Sequence, residues 1–442
     1  MRVLILGCGW AGISLAYELV CRFPTLDVVV VEPLGSVGGL LRSEVVNGFV
    51  VDVGGSHVIF SRDGLILNKI LNFLKGNYVR HHRSSYVLIS NYLVPYPIEN
   101  GLYVLPPEVR AEVLIDFIEV LKSLSDSWRP KNFLEWIYGF FGRWIANNYL
   151  IPYNLKVWKR PLNELSVDWV FIPGRLPVPD WRDVVRAAVG VRTEGYLEQV
   201  NFYYPLTGGI QALHNSLLNQ CLNLGVKVLT NFKLVSIRRV GDEYLVNNEL
   251  RFDKVFNTLP LPELFNVLEP PEGIIRVVDE LDYNSVVITA VALRREAPNH
   301  HWVYIPRDDV IFHRYAWISN YSPYNVPKGY SLLITETTLR PDSYVDIEGL
   351  THRVVDDLIR LDVIRGDEVV FTKSWIHKYG YPIYRLNHNE VRVELMSYLD
   401  GLGIKSVGRW GSWHYWNIDR VYSEVVKLVG GLTLAQHSSI LP

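Results

Sequence analysis

The chain of 442 residues has only three cysteines, Cys8, Cys21 and Cys221, and two methionines. Three thiols with no Cys-x-x-Cys pair cannot build a disulfide framework and offer no structural zinc site, which points to a reducing compartment. So few sulfur-bearing residues also suit a heat-adapted source. Neither sign of charge prevails: 44 Lys and Arg stand against 46 Asp and Glu. That balance gives no basis for a nucleic-acid surface, and any anionic ligand must be met by a few placed cations. No apolar run reaches about 18 residues, so no membrane span is expected. The N-terminal stretch carries three glycines and Glu18 through its apolar part. It does not read as a signal peptide, and the cytoplasm is the expected location.

What is present is a folded, multi-domain composition: 49% hydrophobic and 20% charged residues, in a chain longer than one core usually organises. Residues 2 to 6 form an apolar strand, a glycine turn follows, and a helical pattern runs to Val20 before a second strand from Val28 to Glu32. Pro106 and Pro107 suit a helix start, and apolar residues from Val109 to Leu124 recur at helical spacing. Residues 132 to 150 are aromatic-rich and also read as helix, and are better explained by helix packing than by a membrane face. From Val226 the pattern returns to strands, including 226–240, 284–293 and 330–339, and the chain closes on a helix from about Asp419.

Gly7-Cys8-Gly9-Trp10-Ala11-Gly12 completes a G-x-G-x-x-G between a strand and a helix. Gly7 permits the tight turn, Gly9 lets the backbone approach a pyrophosphate, and Gly12 lets the helix pack on the strand. Glu32 follows at the distance where an acid bonds ribose hydroxyls. A glycine turn in an unrelated α/β protein would lack both the context and the acid. Cys8 inside this loop reads as a small buried filler.

Val37-Gly38-Gly39-Leu40-Leu41 and a second glycine-rich stretch, Gly54 and Gly55 before His57, come next. With the first motif they resemble the glutathione-reductase-like FAD fold shared by amine oxidases and protoporphyrinogen oxidases. That resemblance implies a cofactor site at Gly7, Gly9, Gly12, Glu32, Gly39 and Leu40, with the strand holding Val235 on the adenine side. It also implies Gly408 and Arg409 near the flavin and Asp419 at the start of the closing helix. The implied fold class is α/β: a Rossmann FAD-binding domain (1–65, 200–265 and 400–442), an inserted helical domain (105–200) and an antiparallel-sheet substrate domain (66–104 and 266–399).

Six further segments resemble UDP-galactopyranose mutases, most nearly the eukaryotic type. Tyr153-Asn154-Leu155-Lys156-Val157-Trp158 matches the PYNxKVW element, whose Asn and Trp line the nucleotide-sugar cleft in that family. Gly174-Arg175-Leu176 falls at one diphosphate arginine, and Phe312-His313-Arg314 with the segment 318–325 matches the other. Tyr304, Tyr381 and Tyr415-Trp416-Asn417 match substrate-site positions. Two departures stand out. Ser56 is an extra residue before His57, and Asn417 stands where bacterial enzymes carry an acid.

The resemblance implies an isomerase of galactofuranose biosynthesis that uses FAD without net redox change. Reduced flavin N5 would attack the anomeric carbon of UDP-galactose, and an external donor such as NAD(P)H would keep the flavin reduced. Arg175 and Arg314 would hold the diphosphate. Asn154, Trp158, Tyr304, Tyr381, Tyr415 and Asn417 would contact substrate, and His57 would lie beside the flavin without acting as a base. The partner is then a nucleotide-sugar, with homo-oligomerisation left open. Taken alone, each arginine is as easily a surface ion-pair member, and each aromatic a core residue in a chain with 13 Trp and 26 Tyr. The alternative on the same fold is an amine-oxidase or protoporphyrinogen-oxidase-like oxidoreductase, which needs no diphosphate clamp; a flavin-bearing scaffold would need no substrate cleft at all.

Overall fold

A computed structural model describes residues 1–125, 127–172, 175–176, 178–195 and 200–433. The chain forms two compact units. The first combines Met1–Val37, Asn215–Pro270 and the residues from Met396 onward; the second combines Gly38–His214 and Pro271–Leu395.

The first unit is built on five parallel strands in the order Lys405–Ser406, Lys254–Asn257, Arg2–Leu6, Asp27–Val31, Lys227–Leu229. Central parallel strands are covered on both faces, so they read as unbroken apolar runs. Val3 to Leu6 and Val28 to Val31 are accordingly almost fully buried. Helices Trp10–Arg22 and Ile418–Gly431 pack side by side, with the Trp10 indole N–H on the Ile418 carbonyl at 2.9 Å. The second strand stops at Val31, one residue short of expectation, although the Glu32 N–H still bonds the Leu229 carbonyl at 2.8 Å. The expected strand across Val235 is broken. Asn231 turns with φ 54°, and residues 232–236 lie outside any strand. The Val235 N–H goes to the Asn247 side chain at 2.8 Å instead of to a strand neighbour.

The second unit carries a seven-stranded sheet. Its order is Val369–Ile383, Asp282–Leu293, Ser331–Leu339, Arg314–Trp317, Trp302–Tyr304, Ser85–Ile89, Tyr92–Pro95. All pairings are antiparallel except Trp302–Tyr304 with Ser85–Ile89, which is parallel. Successive side chains point to opposite faces of a strand. Val287, Val291, Val303, Tyr315, Trp317 and Leu333 thus share one face, which packs on Leu350, Val354 and Leu358 of helix Ile347–Arg360. Tyr304, Arg314 and Glu336 fall on the other.

Between positions 107 and 188 the unit is largely helical: Pro107–Ser123, Phe133–Ile145, Ile151–Trp158 and Trp181–Ala188. Pro107 opens the first of these, where its missing N–H costs nothing. A π-helical turn, Ala146–Leu150, leads into the helix of the Tyr153–Trp158 motif. That helix ends at Lys159 (φ 54°), and its Val157 and Trp158 carbonyls each accept from the Asn284 side-chain amide at 2.8 Å. Asn284 is fully buried. Removing it orphans two buried carbonyls, so Asn284→Ala should destabilise the protein by about 2–3 kcal/mol, seen as a lowered Tm. An unchanged Tm would show that the helix end is held by other means.

Candidate active site

In the first unit the glycine motif is required by geometry. Gly7 has φ 94°, and a Cβ there would meet Thr258 Oγ1 at 2.8 Å. A Cβ on Gly12 would stand 1.9 Å from the Gly7 carbonyl oxygen, so the helix approaches the turn only because that side chain is absent. Gly9 caps the helix in an extended conformation with no side-chain bond. The buried Glu32 carboxylate accepts the Cys8 N–H at 2.9 Å and the Leu34 N–H at 3.1 Å, which fixes it against the loop. Burial, with Glu32 second, pushes the Cys8 thiol up to about 12, which removes it as a nucleophile and fits its reading as a filler.

The C-terminal stretch closes onto the same turn. A Cβ on Gly408 would lie 2.5 Å from that of Ala11. The Arg409 guanidinium sits 4.6 Å from the centre of the Tyr415 ring and donates to the Trp416 carbonyl at 3.1 Å. Asn417 begins the closing helix without capping it, and its Nδ2 is buried with no partner among the described residues. Asp419 lies in that helix's first turn. Narrow glycine approaches, an anchored acid and a helix N-terminus fit a dinucleotide cofactor. Val235 is 59% exposed and adds no packed wall.

In the second unit, Tyr304 stands opposite Arg314 in register, and Arg314 opposite Glu336. Glu336 is 2% exposed in a strand that is otherwise apolar or hydroxylic. It pairs with Arg314 and accepts the Tyr381 hydroxyl at 2.8 Å and the Ser56 N–H at 3.2 Å, with His313 Nε2 at 3.7 Å. Burial opposes its ionisation, but Arg314 and His313 outweigh that and hold the carboxyl well below the usual carboxylate range. The Arg314 side chain keeps 23% exposure, and its Nε is buried without a partner among the described residues. Tyrosines surround the pair: Tyr304 lies 5.0 Å from Tyr96 and 5.5 Å from Tyr153, centroid to centroid.

The loop before His57 reaches this cluster. Gly55 (φ 114°) is so close that a Cβ would lie 3.3 Å from Glu336 Oε1, and a Cβ on Gly54 would stand 2.0 Å from the Leu40 carbonyl oxygen. Gly39 and Leu40 are thereby fixed beside the loop. Ser56, the extra residue, gives its N–H to Glu336 and shares a 2.8 Å bond with the Tyr321 hydroxyl. His57 is half-buried, with Nδ1 3.1 Å from the Gly55 carbonyl oxygen.

Asn154 and Trp158 do not line an open cleft. Both are 3% exposed, the indole N–H of Trp158 bonds Asn154 Oδ1 at 2.9 Å, and Asn154 donates to the Leu150 carbonyl. They meet the cluster where the Trp158 ring edge faces Tyr381 at 6.2 Å. Arg175 is half-buried in a turn closed by its N–H on the Ile172 carbonyl, and Gly174 beside it lies outside the described residues. Glu336 escaped sequence reasoning, although an ionisable residue alone in a strand of apolar and hydroxyl side chains is a signal in itself. Among the described residues no group of three or more His, Cys, Asp or Glu could hold a metal, and no helix is long and apolar enough to cross a membrane.

Residues 5–74 match the model of an NAD(P)-binding Rossmann-like domain, and residues 167–392, more than half the chain, match that of flavin containing amine oxidoreductases. The chain therefore belongs to the flavin containing amine oxidoreductase family, and its dinucleotide is FAD. Its fold is similar to that of a reduced UDP-galactopyranose mutase, with TM-score 0.87 and 24% identity over 97% of this chain and 94% of that one. A putative protoporphyrinogen oxidase from Exiguobacterium sp. 255-15 superposes with TM-score 0.75 at 17% identity, over 97% and 98% of the two chains. In sequence, a coproporphyrinogen III oxidase of Staphylococcus aureus is 22% identical over 427 residues, covering 87% of this chain and 89% of that protein.

Two outcomes follow from this geometry. Gly12→Ala should yield folded protein without FAD, read from the flavin absorbance of the purified chain; full flavin content would disprove the close approach. Asp52, fully buried, accepts from Ser43 Oγ at 2.6 Å, the Tyr204 hydroxyl at 2.7 Å and the Ile210 N–H at 3.1 Å. Burial still raises its carboxyl to about 6. The folded state then binds the proton more tightly than the unfolded one, so this contribution to stability is complete below pH ~4 and lost as pH rises through about 6. Asp52→Asn should flatten the dependence of unfolding free energy on pH between 4 and 7 by up to about 3 kcal/mol. An identical slope in both proteins would sink the assignment.

Proposed function

We propose that the chain is an FAD-dependent mutase interconverting UDP-galactopyranose and UDP-galactofuranose. The observation that carries the reading is the state of Arg314: one edge is tied to Glu336, while Nε lacks a partner among the described residues in a surround of tyrosines. A guanidinium held at one edge presents its remaining donors in a fixed plane, which is what bidentate recognition of a diphosphate needs. The resemblance of Arg175 to the second diphosphate arginine, and likeness in fold to a UDP-galactopyranose mutase across 97% of the chain, support it.

The residues that would hold FAD are Gly7, Gly9, Gly12, Glu32, Gly39, Leu40, Gly408, Arg409 and Asp419. Bound and reduced, flavin supplies a nucleophilic nitrogen for the anomeric carbon. The protein's tasks are then to bind and orient. Arg314 and Arg175 retain the diphosphate while it is the leaving group and stabilise its charge. The Tyr304 hydroxyl contacts the same phosphates. Tyr381 donates its hydroxyl to Glu336, which fixes the ring that would contact the sugar. Asn417, whose Nδ2 has no partner among the described residues, is suited to donate to substrate. His57, hydrogen-bonded to its own loop, orients and does not abstract a proton.

The second reading, an oxidoreductase of the amine-oxidase or protoporphyrinogen-oxidase kind, draws on family membership and on Glu336, which neutralises the arginine a diphosphate would need. An anaerobic assay separates the two. Dithionite-reduced protein should convert UDP-galactofuranose to UDP-galactopyranose, and oxidised protein should not. No conversion and no UDP binding by the reduced holoprotein would overturn the mutase and favour the oxidase. Arg314→Lys keeps a cation for Glu336 but loses the planar fork, so it should retain FAD and lose about 30-fold in turnover, on the order of 2 kcal/mol. Wild-type rates in that variant would remove Arg314 from the clamp.

A further inference from the structure

Lys156 is buried to 8% exposure, and its ammonium has no carboxylate bonded to it among the described residues. Its three donors go to three main-chain carbonyls: Ile305 at 3.0 Å, Arg307 at 2.7 Å and Phe312 at 2.6 Å. These carbonyls belong to one loop, residues 305–313, which joins the strand ending in Tyr304 to the strand beginning with Arg314. Loop carbonyls turned inward need donors, and a tetrahedral ammonium meets three at once where a single water could donate to only two. Burial and the neighbouring Lys159 push this ammonium down to about 7, opposed by Asp357, Asp309 and Asp308. The cation is therefore kept in place against an electrostatic penalty, which an apolar anchor such as Met or Leu would not incur.

The placement is specific. Lys156 lies between Asn154 and Trp158 on helix Ile151–Trp158, and its own carbonyl accepts the Thr338 hydroxyl from the strand that carries Glu336. One residue thus ties together the helix of the aromatic motif, the Tyr304–Arg314 hairpin and the Glu336 strand. We propose that Lys156 is the positioning residue of the arginine clamp: by gathering the hairpin carbonyls it sets where Tyr304 and Arg314 stand, without touching substrate. This rests on the diphosphate reading of Arg314 for its functional consequence, but not for its structural one.

The test uses the FAD-loaded full chain and compares Lys156→Met with Val113→Ala, a core truncation in helix Pro107–Ser123, outside the cluster that holds Ile305, Val310 and Phe312. Amide hydrogen exchange is read at Ile305, which bonds the His313 carbonyl, and at His313, which bonds the Glu336 carbonyl. UDP affinity is read by calorimetry. In Lys156→Met, exchange at both amides should rise tenfold or more, UDP affinity should fall at least tenfold and flavin content should stay at the wild-type level. In Val113→Ala, with a comparable loss of Tm, both readouts should hold. Unchanged exchange in Lys156→Met, or the same changes in Val113→Ala, would overturn the proposal. If the wild type binds no UDP while exchange still responds to Lys156→Met, the positioning role stands and the mutase reading falls.

Discussion

An ionised carboxylate in the middle of a sheet sets the terms for everything around it. Glu336 sits where apolar side chains would pack without penalty, and an isolated charge there would cost several kcal/mol. It is tolerated because four groups from three segments converge on it: Arg314 across the strand pair with His313 beside it in sequence, Tyr381 from the far strand, and the Ser56 N–H from the glycine loop. Each of these is constrained in turn. Arg314 cannot rotate freely, Tyr381 has a fixed proton, and the loop that carries His57 is held at one height above the sheet.

Much of the architecture was legible because it rests on local rules. The strand–turn–helix of the dinucleotide motif, the position of its acid and the proline that opens the helix at position 107 follow from backbone chemistry. The apolar runs at 284–293 and 330–339 do likewise. What was not legible depends on long-range pairing. Val235 was read as strand within the stretch 226–240, and the side chain of Asn247, 12 residues on, supplies the bond that a strand would have taken. The motif residues Asn154 and Trp158 were placed in a cleft by resemblance, whereas the i, i+4 spacing on one helix turn lets them satisfy each other. Glu336 lay in no motif, and Lys156 lay in one that gave it no role. Their roles appear only when registers and loop carbonyls are known.

Relatives of this fold include a mutase and an oxidase, and the glycine turn that binds the dinucleotide serves either chemistry equally. A scaffold shared by two chemistries leaves the distinction to side chains such as Arg314, Glu336 and Tyr381. A guanidinium whose charge is already half committed is a compromise. In the mutase proposed above it would recognise by direction more than by net attraction, which would favour release of a diphosphate that must leave and return within one turnover.

The strict alternation of the Ser331–Leu339 strand has an evolutionary consequence. Odd-numbered positions are bound into the helix-backed layer, while even-numbered ones face the pairing of Arg314 and Glu336. Substitutions at the two parities are therefore filtered by separate pressures, one for folding and one for chemistry. A lineage can rewrite the even positions, drifting from one reaction to another, while the odd positions preserve a layer that every descendant still needs.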